Sequence, residues 1–418
     1  MRPTTTIIAM SAIAGIARAV PTISNLGTLG GSSSYGKGIS GDGTTAIGYG
    51  PMTGGGDASF RWTAGGGLVQ LPMLGAPPTY ARAISASGAV IVGNSSISPG
   101  QDRAFRWTSA DGMQDLGTLG GASSQAWGTS ANGGTVVGQS YLSTGEFRPF
   151  VWTAVGGMVG LPPLGGNNAV ARAISGDGTT VVGWSNTPEG GWSHACRWVN
   201  AAQFDLGTLH DTMSTAEAVN ADGRVIVGYS GHIPQIGGTH ACLWEDGVIA
   251  DLGTLGGTDA DALGVNADGT VVVGWSYNAA GNTRAFLWSL GTGIVDLNAY
   301  ITQCGGSVTG WTLTSATGVS SDGTTIVGTG AYGSWSRAFI VRGLPPILPP
   351  CPADLDNGSF TGTRDQAVDV NDLLYFLDRY GAGSVAADLD DGSGTGASDG
   401  AVTIEDLLYF LAHYAAGC

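Results

Sequence analysis

The sequence predicts an all-β fold, a seven-bladed β-propeller of four-stranded blades, followed by a small α-helical tail. Three observations carry this. A unit of about 45 residues recurs through residues 23–343, the period of one propeller blade. A turn signal sits at the same place in every copy: Asp42-Gly43, Ser87-Gly88, Asn132-Gly133, Asp177-Gly178, Asp222-Gly223, Asp268-Gly269 and Asp322-Gly323. The chain also combines 73 glycines and 42% hydrophobic residues with only 11% charged ones, which suits many short strands joined by tight turns.

The chain divides into residues 1–19, 20–343, 344–350 and 351–418. Residues 1–19 read as a secretory signal peptide. Arg2 supplies the positive start, Ile7 to Ile16 an apolar stretch, and Ala17-Arg18-Ala19 a small-x-small cleavage site before Val20. Export permits disulfides. Cys351 and Cys418 bracket the tail and are expected to pair. Cys196 and Cys242 stand where other copies carry Phe, so they are expected to fill the core first and to form a disulfide second. No pairing is readable for Cys304. No other segment offers about 18 consecutive apolar residues, so no transmembrane span is expected.

One repeat unit reads Ala-x-x-x-Ser-x-Asp-Gly-Thr-x-Val-x-Gly, a variable loop, Arg-Ala-Phe-x-Trp, a short Gly turn, then Asp-Leu-Gly-Thr-Leu-Gly-Gly. The Trp position falls at Trp62, Trp107, Trp152, Trp198, Trp244 and Trp288, with Val341 last, and the final copy is longer than the others. Between Tyr80 and Gly121 this makes four candidate strands, "YARAIS", "AVIVGNS", "RAFRWTS" and "MQDLGTL". A lone sheet of that size cannot bury both faces, whereas seven arranged in a ring can. The body starts on the last strand of a unit, Leu26–Gly31, and ends at Ala338–Val341 where that strand is missing. The N-terminal segment is therefore expected to complete the seventh blade and to offset the entropy of closing the ring. The blocks "GTLGG", "DGTxVVG" and "RAFxW" together resemble the HAF-repeat family of extracellular proteins. That likeness implies export and repeat architecture and no established reaction.

Polar residues also repeat. A basic residue precedes the Ala-Phe pair at Arg103, Arg148, His194, His240, Arg284 and Arg337, and an acid precedes the repeated Leu at Asp115, Asp205, Asp251 and Asp296. The favoured reading is an ion pair or hydrogen bond within each blade that fixes strand register. The alternative is a ring of charge around a ligand-holding channel. What differs between blades lies mostly in the loop before the Arg-Ala-Phe strand, expected on one face, where Trp192 and Trp335 could stack on a sugar or pack beneath their own loops. No catalytic residue is identified. There is no nucleophile elbow, no His-Glu-x-x-His, and no Lys in the Gly-rich stretches.

Residues 344–350, "LPPILPP", form a stiff linker. The tail is acidic, with two arginines against twelve acids, a net −10 of the chain's −16. Such a chain is repelled by nucleic acid and anionic lipid. The tail duplicates with a period of 34. Asp354, Asp356, Asp365 and Asp372 match Asp388, Asp390, Asp399 and Asp406, each series ending at a helix "LLYFL". Asp-x-Asp opening a loop and a carboxylate entering a helix are what a calcium loop requires. Eight-residue insertions, 357–364 and 391–398, separate this pattern from an ordinary EF-hand, and Gln366 replaces a loop Gly.

The tail resembles dockerin domains of the type ending in Gly-Cys, here Gly417-Cys418. By that likeness Asp354, Asp356, Asp365, Asp369 and Asp372 hold one Ca2+; Asp388, Asp390, Asp399, Thr403 and Asp406 hold the other, with Thr403 standing where Asp369 does. The likeness also implies a cohesin-like or other anchoring protein as partner. The expected function is that of an exported, monomeric binding or surface-display protein, located outside the cell or on its surface, with a carbohydrate or protein ligand on the propeller. The alternatives are a carbohydrate-active enzyme, a lyase or hydrolase tethered by its tail, and a structural surface-layer component.

Overall fold

A computed structural model describes residues 20–188, 192–210, 213–231, 238–345, 370–381, 387, 389 and 402–416. Seven four-stranded antiparallel sheets follow one another along the body. The first blade uses Tyr35–Ile39, Thr45–Pro51, Asp57–Thr63 and Gly67–Gln70; its order in the sheet is its order in the chain, and the next five blades repeat this. The seventh takes three strands, Trp311–Val319, Ile326–Tyr332 and Trp335–Arg342, and its outer strand is Thr22–Asn25 from the N-terminal end. Ile23 pairs with Val341 and Asn25 with Phe339. The ring is closed by a strand, as the phase of the repeat predicts.

The cores lie between blades. One cluster joins Ile47 and Leu71 of the first blade to Ala81, Ile91 and Phe105 of the second. Another joins Val90 and Leu116 of the second to Ala126, Phe150 and Trp152 of the third. The same clustering crosses the seam, where Leu26, Val327, Ala338 and Ile340 meet Ile39, Ala46 and Phe60. Cys196 and Cys242 fill the recurrent Phe place, fully buried, and neither is in a disulfide.

Each Asx-Gly hairpin is a small hydrogen-bonded device. Ser40 Oγ donates to Asp42 Oδ1 at 2.5 Å, the Thr44 amide donates to the same oxygen at 3.0 Å, and the Thr45 amide donates back to Ser40 Oγ at 3.0 Å. The Ser40 hydroxyl and the Thr44 amide hold the Asp42 carboxyl below its ordinary range. Gly43 supplies the positive φ of 68° that closes the turn. Hairpins of neighbouring blades touch by backbone hydrogen bonds, such as Gly41 to Ala86 at 2.9 Å and Ser321 to Gly41 at 2.8 Å, the latter across the seam.

Two expectations need correction. The "DLGTLGG" block is mostly a connector; the outer strand runs into its first Gly only at Ala202–Gly207 and Val248–Gly253. The outer strand of the second blade is only Gly112–Asp115. Asp115 Oδ1 then accepts from the Gly117 amide and Thr118 Oγ1 from the Gly120 amide, with φ of 79° and 102° at the two glycines, which bends the chain toward the next blade. The Leu26–Gly31 segment does the same, so the closing strand is Thr22–Asn25 just before it. The extra length of the last copy, moreover, contains a helix, α1 (Leu297–Gln303), capped by Asp296 accepting from the Asn298 amide and burying Leu297, Tyr300 and Ile301.

In the tail, α2 (Val370–Gly381) and α3 (Ile404–Ala416) start 34 residues apart, and their matched Phe376 and Phe410 stack at 4.1 Å with 2° between rings. Both rings are fully buried. The signal-peptide and linker assignments, and the Cys351–Cys418 pair, lie outside the described residues apart from Leu344 and Pro345. Among the described residues no helix is long and apolar enough to cross a membrane.

One glycine recurs for a steric reason. In the second strand of each blade Gly48, Gly93, Gly138, Gly183, Gly228, Gly274 or Gly328 faces the carbonyl of the first strand. A Cβ on Gly93 would stand 1.9 Å from Tyr80 O and 2.9 Å from the Phe105 ring. Gly93→Ala is therefore expected to cost about 3 kcal/mol, from backbone displacement as well as overpacking. Urea unfolding that leaves the midpoint unmoved would refute this.

Candidate functional site

The glycine lies beside a register skip that every blade shares. Pairing between first and second strands jumps between Gly36 and Gly38, Ala81 and Ala83, Ala126 and Gly128, Ala171 and Ala173, Ala216 and Ala218, Ala262 and Gly264, and Ala316 and Gly318. The residue left out of the ladder is Lys37, Arg82, Trp127, Arg172, Glu217, Leu263 or Thr317. A bulge of this kind re-aims a side chain out of the sheet's alternation. All seven bulged residues line one cavity of about 350 Å³, walled by the first strands of all seven blades. Its volume falls in the range of small-molecule sites.

Small residues flank this position in every blade, and the position itself varies. Five of the seven side chains are charged or aromatic, all five differing in setting. Lys37 is the only lysine in the chain. Arg82 and Arg172, from the blades flanking Trp127, lie over its indole with guanidinium carbons 4.5 and 4.6 Å from the ring centroid. Such cation–π contacts hold the two guanidinium groups in place. Arg82 Nε also donates to Asn94 Oδ1 at 3.3 Å, and Asn94 donates on to Asp102 at 3.0 Å. Arg172 Nε stands 3.6 Å from Glu217 Oε1.

The sixth blade adds a carboxyl beside the ring. Asp261 is two residues before the bulge, opposite Trp275, whose side chain hydrogen-bonds to it. Burial raises the Asp261 carboxyl well above its ordinary value, and the negative charge of Glu217 adds to this. Burial likewise raises Glu217, against the opposing pull of Arg172 and Lys37. Burial lowers the Lys37 ammonium, with help from Arg82 and against Glu217. Three buried polar atoms here have no hydrogen-bond partner: Trp127 Nε1, Arg172 Nε and Asp261 Oδ1.

The residues singled out from the sequence lie elsewhere. Arg103–Asp115 (3.8 Å), His194–Asp205 (2.8 Å), His240–Asp251 (2.9 Å) and Arg284–Asp296 (3.7 Å) pair within their blades, between third and outer strands. They line no part of the channel, so the structural reading of that repeat holds and the charged-ring alternative does not. Arg148 and Arg337 instead reach the backbone of the neighbouring blade, at Asn167 O and Ser32 O. Trp192 and Trp335 are 58% and 51% exposed rather than packed beneath their loops.

Of the tail residues, Asp354, Asp356, Asp365, Asp369, Asp388, Asp390 and Asp399 lie outside the described residues. Asp372 is the third residue of α2, and Asp406 the third of α3. Asp406 is fully buried; its Oδ1 accepts from the Leu389 amide at 2.5 Å and its Oδ2 from the Thr403 amide at 2.7 Å. Thr403 thus caps α3 through Asp406.

No protein family matches the chain, and no curated protein does. Solved structures match in fold. The oligogalacturonate lyase of Vibrio parahaemolyticus is 11% identical, covers 77% of this chain and 93% of its own, and superposes with a TM-score of 0.52. The β-propeller domain of the Trilobed protease from Pyrococcus furiosus, described as having an open velcro topology, is 8% identical, covers 76% and 99%, and gives 0.50. TolB from Acinetobacter baumannii is 13% identical with a TM-score of 0.42; the match takes in 63% of this chain and only 62% of TolB. The first two likenesses show a propeller, a fold that serves scaffolds and enzymes alike.

Proposed function

We propose that the protein is an exported binding protein, with a small-molecule site in the propeller channel and a calcium-dependent, dockerin-like anchor in residues 351–418. One observation carries the first half. The position of the repeat that is bulged in every blade also changes chemistry from blade to blade, and all seven copies face one cavity. Residues repeated in every blade serve the ring; residues that differ at one converging position serve a ligand. A thermal-shift survey of sugars, sugar acids, amino acids and nucleosides tests this. At least one class is expected to stabilise the protein, and Trp127→Ala to abolish the effect. Shifts that persist in Trp127→Ala and Arg172→Gln would remove the channel from the account.

The anchor half is supported by the α2–α3 duplication and by Asp406. Leu389, which stands between Asp388 and Asp390 in the sequence, donates its amide to Asp406 at the start of α3. A calcium loop needs its ends to converge. When bound, Ca2+ would draw the loop carboxylates together on each helix N-terminus. Chelation is expected to reduce the helical circular dichroism of the full-length chain and add a low-temperature transition, with Ca2+ restoring both. Identical spectra and no calorimetric heat on adding Ca2+ would dispose of the anchor.

A second reading, a carbohydrate-active enzyme, draws on Glu217 and Lys37, which line one cavity, where burial raises the carboxyl and lowers the ammonium, as a general acid and a base require. Products released from a polysaccharide panel by the native protein, and lost with Glu217→Gln at unchanged stability, would favour it over binding alone.

A further inference from the structure

The chain carries 16 basic residues against 32 acidic ones, yet three of the basic ones, Lys37, Arg82 and Arg172, converge in the channel. Such local inversion of sign in an acidic protein has a cost, since the three cations repel one another and each is drawn partly out of water. The mutual effect is visible: Arg82 depresses Lys37, and Arg172 contributes to lowering both. Glu217 answers one of them, at 3.6 Å from Arg172. Lys37 and Arg82 have no carboxylate within ion-pair distance among the described residues. Asp261 does not restore neutrality either, because burial favours its protonated form. The channel therefore holds more positive charge than its own acids cancel, and two of its three cations, Arg82 and Arg172, are held by the Trp127 ring.

We propose, building on the channel reading above, that the ligand is a small hydroxy-acid: one carboxylate taken by Lys37, Arg82 and Arg172, and a neighbouring hydroxyl taken by Glu217. Two features select this class over other anions. Guanidinium forks suit a planar carboxylate. Glu217 lines the same cavity, and its carboxyl accepts hydrogen bonds from a ligand's hydroxyls, which a sulfate ion lacks. Trp127 Nε1 and Arg172 Nε are buried donors without a hydrogen-bond acceptor. A cavity of about 350 Å³ takes a monosaccharide-sized molecule and little more.

Matched probes test the claim in the full-length protein. Galacturonate and galactose differ at one carbon, as do gluconate and glucitol; sulfate serves as the plain anion. By calorimetry at low salt, at least one acid is expected to bind at least ten-fold more tightly than its neutral counterpart and than sulfate, and to weaken as salt is raised. Lys37→Met and Arg172→Gln should each lower that affinity at least ten-fold, while Trp192→Ala leaves it unchanged. Because Lys37 is the only lysine, reductive methylation followed by peptide mass spectrometry reads the site directly: the bound acid should slow methylation of Lys37 and not of the chain's α-amine. Neutral sugars binding as well as acids, sulfate binding as well as either, or no acid binding at 10 mM would each overturn the hydroxy-acid. If neutral or cationic ligands bind and depend on Trp127, the channel reading stands and only the ligand class fails. If nothing in the wider survey depends on the channel, both fail.

Discussion

Removing residues 20–31 is expected to lower the stability of the propeller by about 5 kcal/mol or more, and to broaden its unfolding transition. The segment supplies the whole outer strand of the seventh blade, pairing Thr22–Asn25 with Phe339–Arg342. It also carries Leu26, 2% exposed, into the core that joins the seventh blade to the first. Loss of one such leucine alone costs about 2–5 kcal/mol. The seam is bonded like the interior junctions. The Leu26 amide donates to Ala338 O at 3.0 Å as Leu116 does to Ala104 O at 2.9 Å. The Ala338 amide reaches Ser34 Oγ at 3.0 Å as Ala104 reaches Ser124 Oγ at 2.9 Å. Deletion strips the outer edge of the last blade and turns a ring into an open arc, whose blades can then fray from one end. Urea unfolding checks this, with Leu26→Ala as the milder variant. A midpoint unchanged by the deletion would mean that the other junctions hold the ring unaided.

That closure was legible because the repeat starts and stops out of phase, and phase survives in a sequence whatever the side chains do. The hairpins were legible for the same reason: Asp42-Gly43 and its six equivalents each need one residue that accepts an amide and one that takes positive φ. The cysteines were readable as stand-ins for Phe, since only burial at that place is required. The connector was misread as strand because "DLGTL" alternates like one. What overrides the alternation is local: Asp115 and Thr118 bond the amides of two glycines and turn the chain. The channel was not legible as a site. Its bulge exists only in the pairing of two strands, and nothing in "YARAIS" says that Arg82 is skipped. A signal was nevertheless present. Between two small residues that repeat in every copy, the chain places Lys, Arg, Trp, Arg, Glu, Leu and Thr. Variation of charge and ring type at a position flanked by small residues in every copy is a mark of function.

The pair in that channel sets the second large expectation. Arg172→Met should cost about 2–4 kcal/mol near pH 7, the penalty for leaving a largely buried carboxylate without its nearest cation. Glu217 is already raised by burial, with Arg172 and Lys37 pulling the other way. The sign follows from that direction. A carboxyl whose folded pKa lies above its unfolded value of about 4.5 favours folding below that value, and the benefit is lost as pH rises through the folded pKa. Without Arg172 the folded pKa climbs further, so the loss at neutral pH deepens while the protein near pH 4 is scarcely affected by the charge. Arg172 also lies over Trp127, and that contact is lost at every pH. The pH-dependent part of the change therefore isolates the ion pair from the packing. Adding Glu217→Gln should flatten the difference between pH 4 and pH 7 and recover most of the neutral-pH loss. A loss equal at both pH values, and unrelieved by Glu217→Gln, would show that Arg172 acts by packing on the indole and that the channel's charges are too well solvated to command a ligand.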